Sequence, residues 1–183
     1  MKKRSVFLLL VIILVVAGYN IIGRIYPMYY YEAVEKYSAQ YGIDPLLIMA
    51  VIKAESNFES SATSHKSANG LMQITNDTAQ WCAEKMGVDN YTDDMLYDGD
   101  FNIQMGIFYL DYLLERYNGI QSNAIAAYNA GMGNVDEWLK NKEYSPDGVT
   151  ITKTPFGETT SYLNKVNYNY KIYKLLYGGK ING

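Results

Sequence analysis

The stretch Asp44-Pro45-Leu46-Leu47-Ile48-Met49-Ala50-Val51-Ile52-Lys53-Ala54-Glu55-Ser56 decides how the rest of this 183-residue chain is read. Asp44 reads as a helix N-cap and Pro45 as the first helical residue, where the amide proton that proline lacks would have no partner in the helix anyway. Leu46 to Ile52 are apolar all round, so the helix they form belongs inside a core. It ends at Lys53-Ala54-Glu55-Ser56, which puts a carboxylate at the tip of the most apolar helix of the domain. Burial disfavours the charged form of a carboxyl group and raises its pKa. A glutamic acid still protonated near neutral pH can donate to the oxygen of a leaving group. A helix-end glutamate turned to solvent is the plainer alternative. A negative charge at a helix C-terminus also opposes the helix dipole, a local cost that a function would explain.

Outward from this helix the periodicity stays helical and no alternating strand stands out. Tyr31 to Gln40 form a first helix stopped near Gly42, and Ser56 to Asn69 are small and polar, as a loop is. Gly70 to Gln80 return to a mixed apolar segment, followed by a polar stretch with Asp93, Asp94, Asp98 and Asp100. Ile103, Ile107, Leu110, Leu114 and Tyr117 recur at helical spacing up to a stop at Gly119. Ala124 to Ala130 form a short Ala-rich helix ended by Gly131, with Gly133 completing a tight exit, and Asn134 caps a further turn carrying Val135 and Trp138. After Pro146, Gly148 and Pro155, a final helix runs from about Glu158 to Tyr177. The expected class is all-α, with helices packed around one core and a groove between lobes.

Composition narrows the chemistry. Hydrophobic residues make up 49% of the chain, enough for a core, and a net charge of −3 argues against a nucleic-acid surface. Tyrosine is the anomaly, at 19 residues against 5 Phe and 2 Trp. A tyrosine joins a flat apolar face to a hydroxyl and suits a sugar-lined groove, although core packing accounts for most tyrosines in most proteins. Cys82 is the lone cysteine and His65 the lone histidine, so neither a disulfide nor a thiolate or imidazole metal cluster is expected, and no cofactor is implied.

Lys2, Lys3 and Arg4 precede an apolar run, and the next charge is Arg24. The uncharged stretch from Ser5 to Gly23 spans roughly 28 Å as a helix, close to a bilayer's hydrocarbon thickness. A secretory signal peptide has the same basic start. The apolar run exceeds the usual length of a signal's core, and no clear small-residue cleavage site follows it, which favours a retained transmembrane anchor. Tyr26, Tyr29, Tyr30 and Tyr31 fall where an interfacial aromatic belt would sit. The positive-inside rule leaves the basic leader in the cytoplasm and the rest of the chain outside. The expected division is residues 1–25 as leader and anchor and 29–178 as the folded domain.

Three blocks of motif then resemble the Slt-type lytic transglycosylases of peptidoglycan, relatives of goose-type lysozyme. The first is Ala54-Glu55-Ser56-Asn57-Phe58, with Gly70-Leu71-Met72-Gln73-Ile74 and Thr78-Ala79. The second is Asn102-Ile103, Gly106 and Tyr109-Leu110, then Ala126-Ala127-Tyr128-Asn129-Ala130-Gly131, Gly133, Val135 and Trp138. The third is Pro155-Phe156-Gly157-Glu158-Thr159 with Tyr162 and Val166. They follow the family's order over nearly the whole region after the anchor. The resemblance implies a lysozyme-like helical domain that acts on peptidoglycan glycan strands, with Glu55 as acid and then base. It implies Ser56, Met72, Gln73, Tyr128, Asn129, Glu158 and Tyr162 as residues of the substrate groove.

Three positions depart from the family's pattern: Thr75 where a methionine is common, Ser67 for a glycine and Thr154 for an isoleucine. They bear on the groove wall and leave the acid in place. Most glycosidases use two carboxylates, yet neither Glu59 nor Asp77 is a dependable second one by sequence. The family's chemistry, as the resemblance implies it, needs one: the muramic acid acetamido group assists departure and the sugar's own 6-hydroxyl attacks, giving a 1,6-anhydromuramoyl end. A hydrolytic muramidase cutting the same bond, and a wall-binding module with an idle centre, are the competing readings.

Overall fold

The computed structural model describes residues 2–181, and among these residues eight helices and one miniature hairpin make up the regular structure. Helix α1 (Lys2–Ile25) stands apart, and its Val6–Ile25 stretch is apolar, long enough to cross a bilayer and not buried against the rest of the chain. Helix α2 spans Tyr31–Tyr41 and α3 Pro45–Glu55. Strands β1 (Ala68–Asn69) and β2 (Ile74–Thr75) pair antiparallel, and α4 follows at Asn76–Met86. A 3-10 turn at Asp93–Tyr97 leads into α5 (Gly99–Arg116), α6 (Gln121–Ala130), α7 (Met132–Lys140) and α8 (Gly157–Ile181).

Helix α3 is the centre of the core, and Leu46 through Ile52 are buried without exception. The Asp44 carboxylate caps it by accepting from the Leu46 amide at 2.9 Å, as the sequence predicts. Its main neighbour is α8. Thr159, Tyr162, Val166, Asn169 and Tyr173 are the buried residues of that helix, alternately three and four apart, so one stripe of a long helix lies on the core. Helix α2 closes another side of α3, and α5 carries both α2 and α6.

The chain leaving α1 is tied down at once. The Tyr173 hydroxyl donates to the Pro27 carbonyl at 3.0 Å and the Tyr177 hydroxyl to the Tyr26 carbonyl at 2.7 Å. The Tyr26 ring meets Tyr173 edge to face at 5.4 Å. The segment after α1 is therefore docked on α8 by three tyrosines and two hydrogen bonds rather than left as a free tether.

Where the structure departs from the expected elements, local hydrogen bonding explains it. The Gly70–Gln80 segment divides into the hairpin and α4, whose N-cap is Thr75: its hydroxyl accepts from the Thr78 amide. Asn134 does not cap a turn, because α7 begins at Met132 with Gly131 as its N-cap, and the Asn134 amide instead donates back to the Ala130 carbonyl at 2.7 Å. Only Gly131 has the positive φ of a helix exit, at 85°, while Gly133 is an ordinary residue of α7.

One buried side chain holds the hairpin in place. Asn102 on α5 is fully buried; its amide donates to the Asn69 and Leu96 carbonyls, both at 2.9 Å, and its carbonyl accepts from the Met72 amide at 2.7 Å. Gly70 adopts φ +77° directly against Asn102, and a Cβ there would overlap both Asn102 and the Leu96 carbonyl. Gly106 likewise leaves the room that the Met72 side chain fills. An Asn102→Leu variant leaves three backbone groups buried without partners. It is expected to lose roughly 3–5 kcal/mol of stability, measured as a shift of the urea midpoint at unchanged slope.

Candidate active site

Helix α3 stops at Glu55 because Ser56 turns away there: its amide closes on the Ile52 carbonyl and its hydroxyl donates to the Leu71 carbonyl at 2.8 Å. Asn57 and Phe58 then take positive φ values of 51° and 70°, which turns the chain sharply back. The Glu55 side chain is left at the end of the core, partly buried, on the wall of a cavity of about 160 Å³. That cavity is lined also by Gln73, Thr75, Tyr128, Asn129 and Glu158, and by Ser64, His65, Lys66 and Ala68 of the loop. Wider depressions of about 430 and 440 Å³ lie beside Asp111 and beside Arg116. Volume alone favours those, but the smaller cavity is where a helix-end acid, a buried phenol and two oriented amides converge.

Burial pushes the Glu55 carboxyl up to about 7. The Tyr162 hydroxyl beside it and the Lys165 ammonium act in the opposite direction, and the Glu158 carboxylate adds to the rise. Glu55 is thus half protonated near neutral pH, the condition for one group to give and take a proton. Burial, and then the charge of Glu55, holds both Tyr128 and Tyr162 well above the ordinary phenol range, so both stay neutral. The Tyr162 hydroxyl is buried without a hydrogen bond of full geometry, which leaves it able to serve Glu55 in either protonation state.

The lining groups have most of their bonding spent, and what remains is directional. Tyr128 gives its one proton to the Met72 carbonyl at 2.8 Å, so its oxygen has only lone pairs left to offer. The Gln73 side-chain amide donates to the Ala62 and Gly70 carbonyls at 3.1 and 2.9 Å, which leaves its oxygen as an acceptor. The Asn129 oxygen accepts from the Thr159 hydroxyl at 2.9 Å, which leaves its amide as a donor. A sugar unit carries hydroxyl and acetamido groups, and a wall with fixed acceptors and a fixed donor suits them.

Of the residues expected from the sequence, Glu55, Gln73, Tyr128, Asn129 and Glu158 share this cavity, and Tyr162 is buried beside Glu55. Ser56 and Met72 are not on its wall. Ser56 bonds the hairpin, and the Met72 side chain is buried against Gly106 while its carbonyl holds Tyr128. The α3 helix does not continue to Glu59, which is exposed and bonded to Ser61, and Asp77 is exposed in the first turn of α4. Thr75 reaches the wall and caps α4 at once. Lys66 and Ser64 escape sequence reading because nothing distinguishes them within a polar loop. Lys66 lies 3.2 Å from Glu158 in an ion pair at the cavity mouth, with both side chains more than half exposed.

A family model, the transglycosylase SLT domain, matches residues 32–149. The chain belongs to this family. The soluble lytic murein transglycosylase of Escherichia coli (strain K12) is 31% identical over 157 residues, 85% of this chain and 24% of that protein. The membrane-bound lytic murein transglycosylase C of Yersinia pestis (strain Pestoides F) is 36% identical over 166 residues, 79% of this chain and 46% of that protein. Among solved structures, the 70-kDa soluble lytic transglycosylase of Escherichia coli superposes with a TM-score of 0.75 at 28% identity, over 84% of this chain and 25% of that one. An inactive mutant of the lytic transglycosylase Slt from Pseudomonas aeruginosa, with a glutamate replaced by glutamine, gives 0.73 at 31% identity, over 82% and 24%. The chain therefore spans from about a quarter to just under half of the relatives it matches, and the shared part is the SLT domain with its lysozyme-like fold.

The raised Glu55 carboxyl has a consequence for stability. The folded domain keeps this proton up to about pH 7, where an unfolded chain loses it near 4.5. Between those values the folded state binds the extra proton, so its stability falls as pH rises. Glu55→Gln removes that slope. It is expected to exceed the parent's stability by roughly 1–3 kcal/mol at pH 8 and to match it near pH 4, read by denaturant unfolding at the two pH values.

Proposed function

We propose that this SLT-domain protein is a peptidoglycan lytic transglycosylase that cleaves the β-1,4 bond between MurNAc and GlcNAc with Glu55 as its acid and base. The observation that carries the reading is the Glu55 carboxyl itself, brought to about 7 at the end of a buried helix and facing a cavity with neutral phenols and oriented amides. The protonated acid gives its proton to the glycosidic oxygen, and the GlcNAc chain departs with it. The muramic acetamido oxygen supports the positive charge developing at C1. The 6-hydroxyl of the same MurNAc then bonds to C1 and releases its proton to the Glu55 carboxylate, which restores the acid. The product is a 1,6-anhydromuramoyl end and no water is consumed. An attack from within the same sugar avoids most of the entropic cost of bringing in a second molecule.

Gln73, Asn129 and Glu158 bind and orient the sugar, Tyr128 sets one wall, and Tyr162 steadies Glu55 through its change of charge. Glu158 also supports the second reading, hydrolysis by a muramidase, since it is a second carboxylate on the same cavity. Its pairing with Lys66 at the mouth speaks against its activating a water. A wall-binding module with an idle centre has no use for an acid kept half protonated. We read the apolar Val6–Ile25 helix, with the basic leader before it, as a retained membrane anchor that holds the domain outside the cell membrane. The length of the apolar run and the want of a small-residue cleavage site after it support this over cleavage of a signal.

Digestion of purified peptidoglycan decides between the two chemistries: anhydro ends weigh one water less than reducing ends, and mass spectrometry of the fragments is expected to show the lighter ends. Glu55→Gln is expected to slow release about 10²–10⁴-fold while the fold persists. In the parent, kcat/KM falls above about pH 7, where Glu55 has lost the proton it must donate. Fragments with reducing ends would establish the muramidase instead, and a variant as active as its parent would remove Glu55 from the mechanism.

A further inference from the structure

Outside the motif positions, Lys165 reaches the C-terminal end of the catalytic helix. The Lys165 ammonium on α8 donates to the Ala54 carbonyl on α3 at 2.5 Å, across 111 positions of sequence. Ala54 is the residue before Glu55, and its carbonyl belongs to the last turn of α3. The last carbonyls of a helix have no partner within it and carry partial negative charge. A carboxylate formed at that end is opposed by the helix, as well as by burial. A cation set there compensates for both. Lys165 follows Tyr162 by three residues, so neighbouring positions on one face of α8 bring a phenol and an ammonium to the same carboxyl group.

We propose that Lys165 is a positioning residue of the reaction: bonded to the end of α3, it fixes where Glu55 stands and balances the charge that Glu55 acquires when its proton leaves. The proposal rests on Glu55 as the acid and base. Charged and titratable groups approach Glu55 from several elements. Helix α8 brings Tyr162, Glu158 and Lys165; α6 brings Tyr128; the loop brings His65 and Lys66 to the cavity wall; and α3 carries Lys53. Of the three lysines, Lys66 is paired with Glu158 at 3.2 Å. Lys53 is bonded to the Asn57 side chain at 2.8 Å and lies over the Tyr26 ring at 4.9 Å. Lys165 is the one bonded to the backbone beside Glu55.

The chemistry asks for such a group. Burial alone would make Glu55 a weak acid, slow to give its proton to a glycosidic oxygen. The ammonium moves it in the acidic direction, and burial and cation together leave it near the pH at which it must work. As the proton leaves, negative charge grows on Glu55 at a fixed distance from a positive charge already in position, so little rearrangement is needed at that moment.

Three variants of the full-length protein test this. Lys165→Met removes charge and donor, Lys165→Gln removes charge but keeps a donor for the Ala54 carbonyl, and Lys165→Arg keeps both. In each, the Glu55 carboxyl is titrated by ¹³C NMR, assigned by its absence in Glu55→Gln, and kcat/KM on peptidoglycan is followed against pH. In the Met and Gln variants the Glu55 midpoint and the alkaline limb are expected to move up together by about half to one pH unit, a range set by one nearby cation partly screened by solvent. Lys165→Arg is expected to return both to the parent's values. A Gln variant that folds with an unmoved midpoint overturns the proposal and leaves Lys165 as a helix cap. A midpoint that moves in a protein with no peptidoglycan-cleaving activity supports the charge balance and defeats the proposed function, so the two fail separately.

Discussion

A helix that is apolar on every side and ends in a carboxylic acid has to be surrounded along its length and reached only at its tip. Helix α3 meets that constraint through α8, which lies along it, and α2, which closes another side. The loop that reverses at Asn57 and Phe58, the hairpin and the first turns of α8 then gather where α3 stops. The acid is kept at its raised pKa by the same packing that stabilises the domain. Filling the core and tuning the acid are one physical event, and the site carries a stability cost at alkaline pH because of it.

Around this acid the fold commits polar groups until few choices remain. Asn102 satisfies three backbone groups of the hairpin and its neighbourhood from inside the core. The hairpin in turn offers the Met72 carbonyl to Tyr128, the Leu71 carbonyl to Ser56 and the Gly70 carbonyl to Gln73. Each bond restrains a side chain near Glu55, so the orientation of the wall is settled before any ligand arrives. Ser56 and Met72 thus act on the site through what they hold, and the docked Tyr26–Pro27 segment extends the same economy to the end of α1.

Much of this was legible in the chain. The Asp44-Pro45 start, the apolar run and the stop at Glu55 are local signals, and each boundary follows from capping, proline geometry or periodicity. The last helix is legible as a helix, but its buried stripe is not, because Thr159 and Asn169 within it are polar. The miniature hairpin was not, since strands of two residues have no period to detect, and what stabilises them is Asn102, 33 residues from Asn69. Asn134 misled because an asparagine near a helix start usually caps it, whereas here Gly131 has already turned the chain. Lys66 and Lys165 carry no local signal, because a lysine in a polar loop or on the outer part of a helix reads as solubility until its partner's position is known.

The sequence by itself determined that a buried helix ends in Glu55, that the class is helical, and that an apolar segment long enough for a bilayer precedes the domain. Those properties depend on neighbours within a few residues, where hydrophobic period and capping act. Tertiary structure alone decided how acidic Glu55 is and what faces it. Its pKa is the resultant of burial, Tyr162, Lys165 and Glu158, groups more than a hundred residues away along the chain. Desolvation and Coulomb interaction depend on distance through space, and only the packing of α8 against α3 sets those distances.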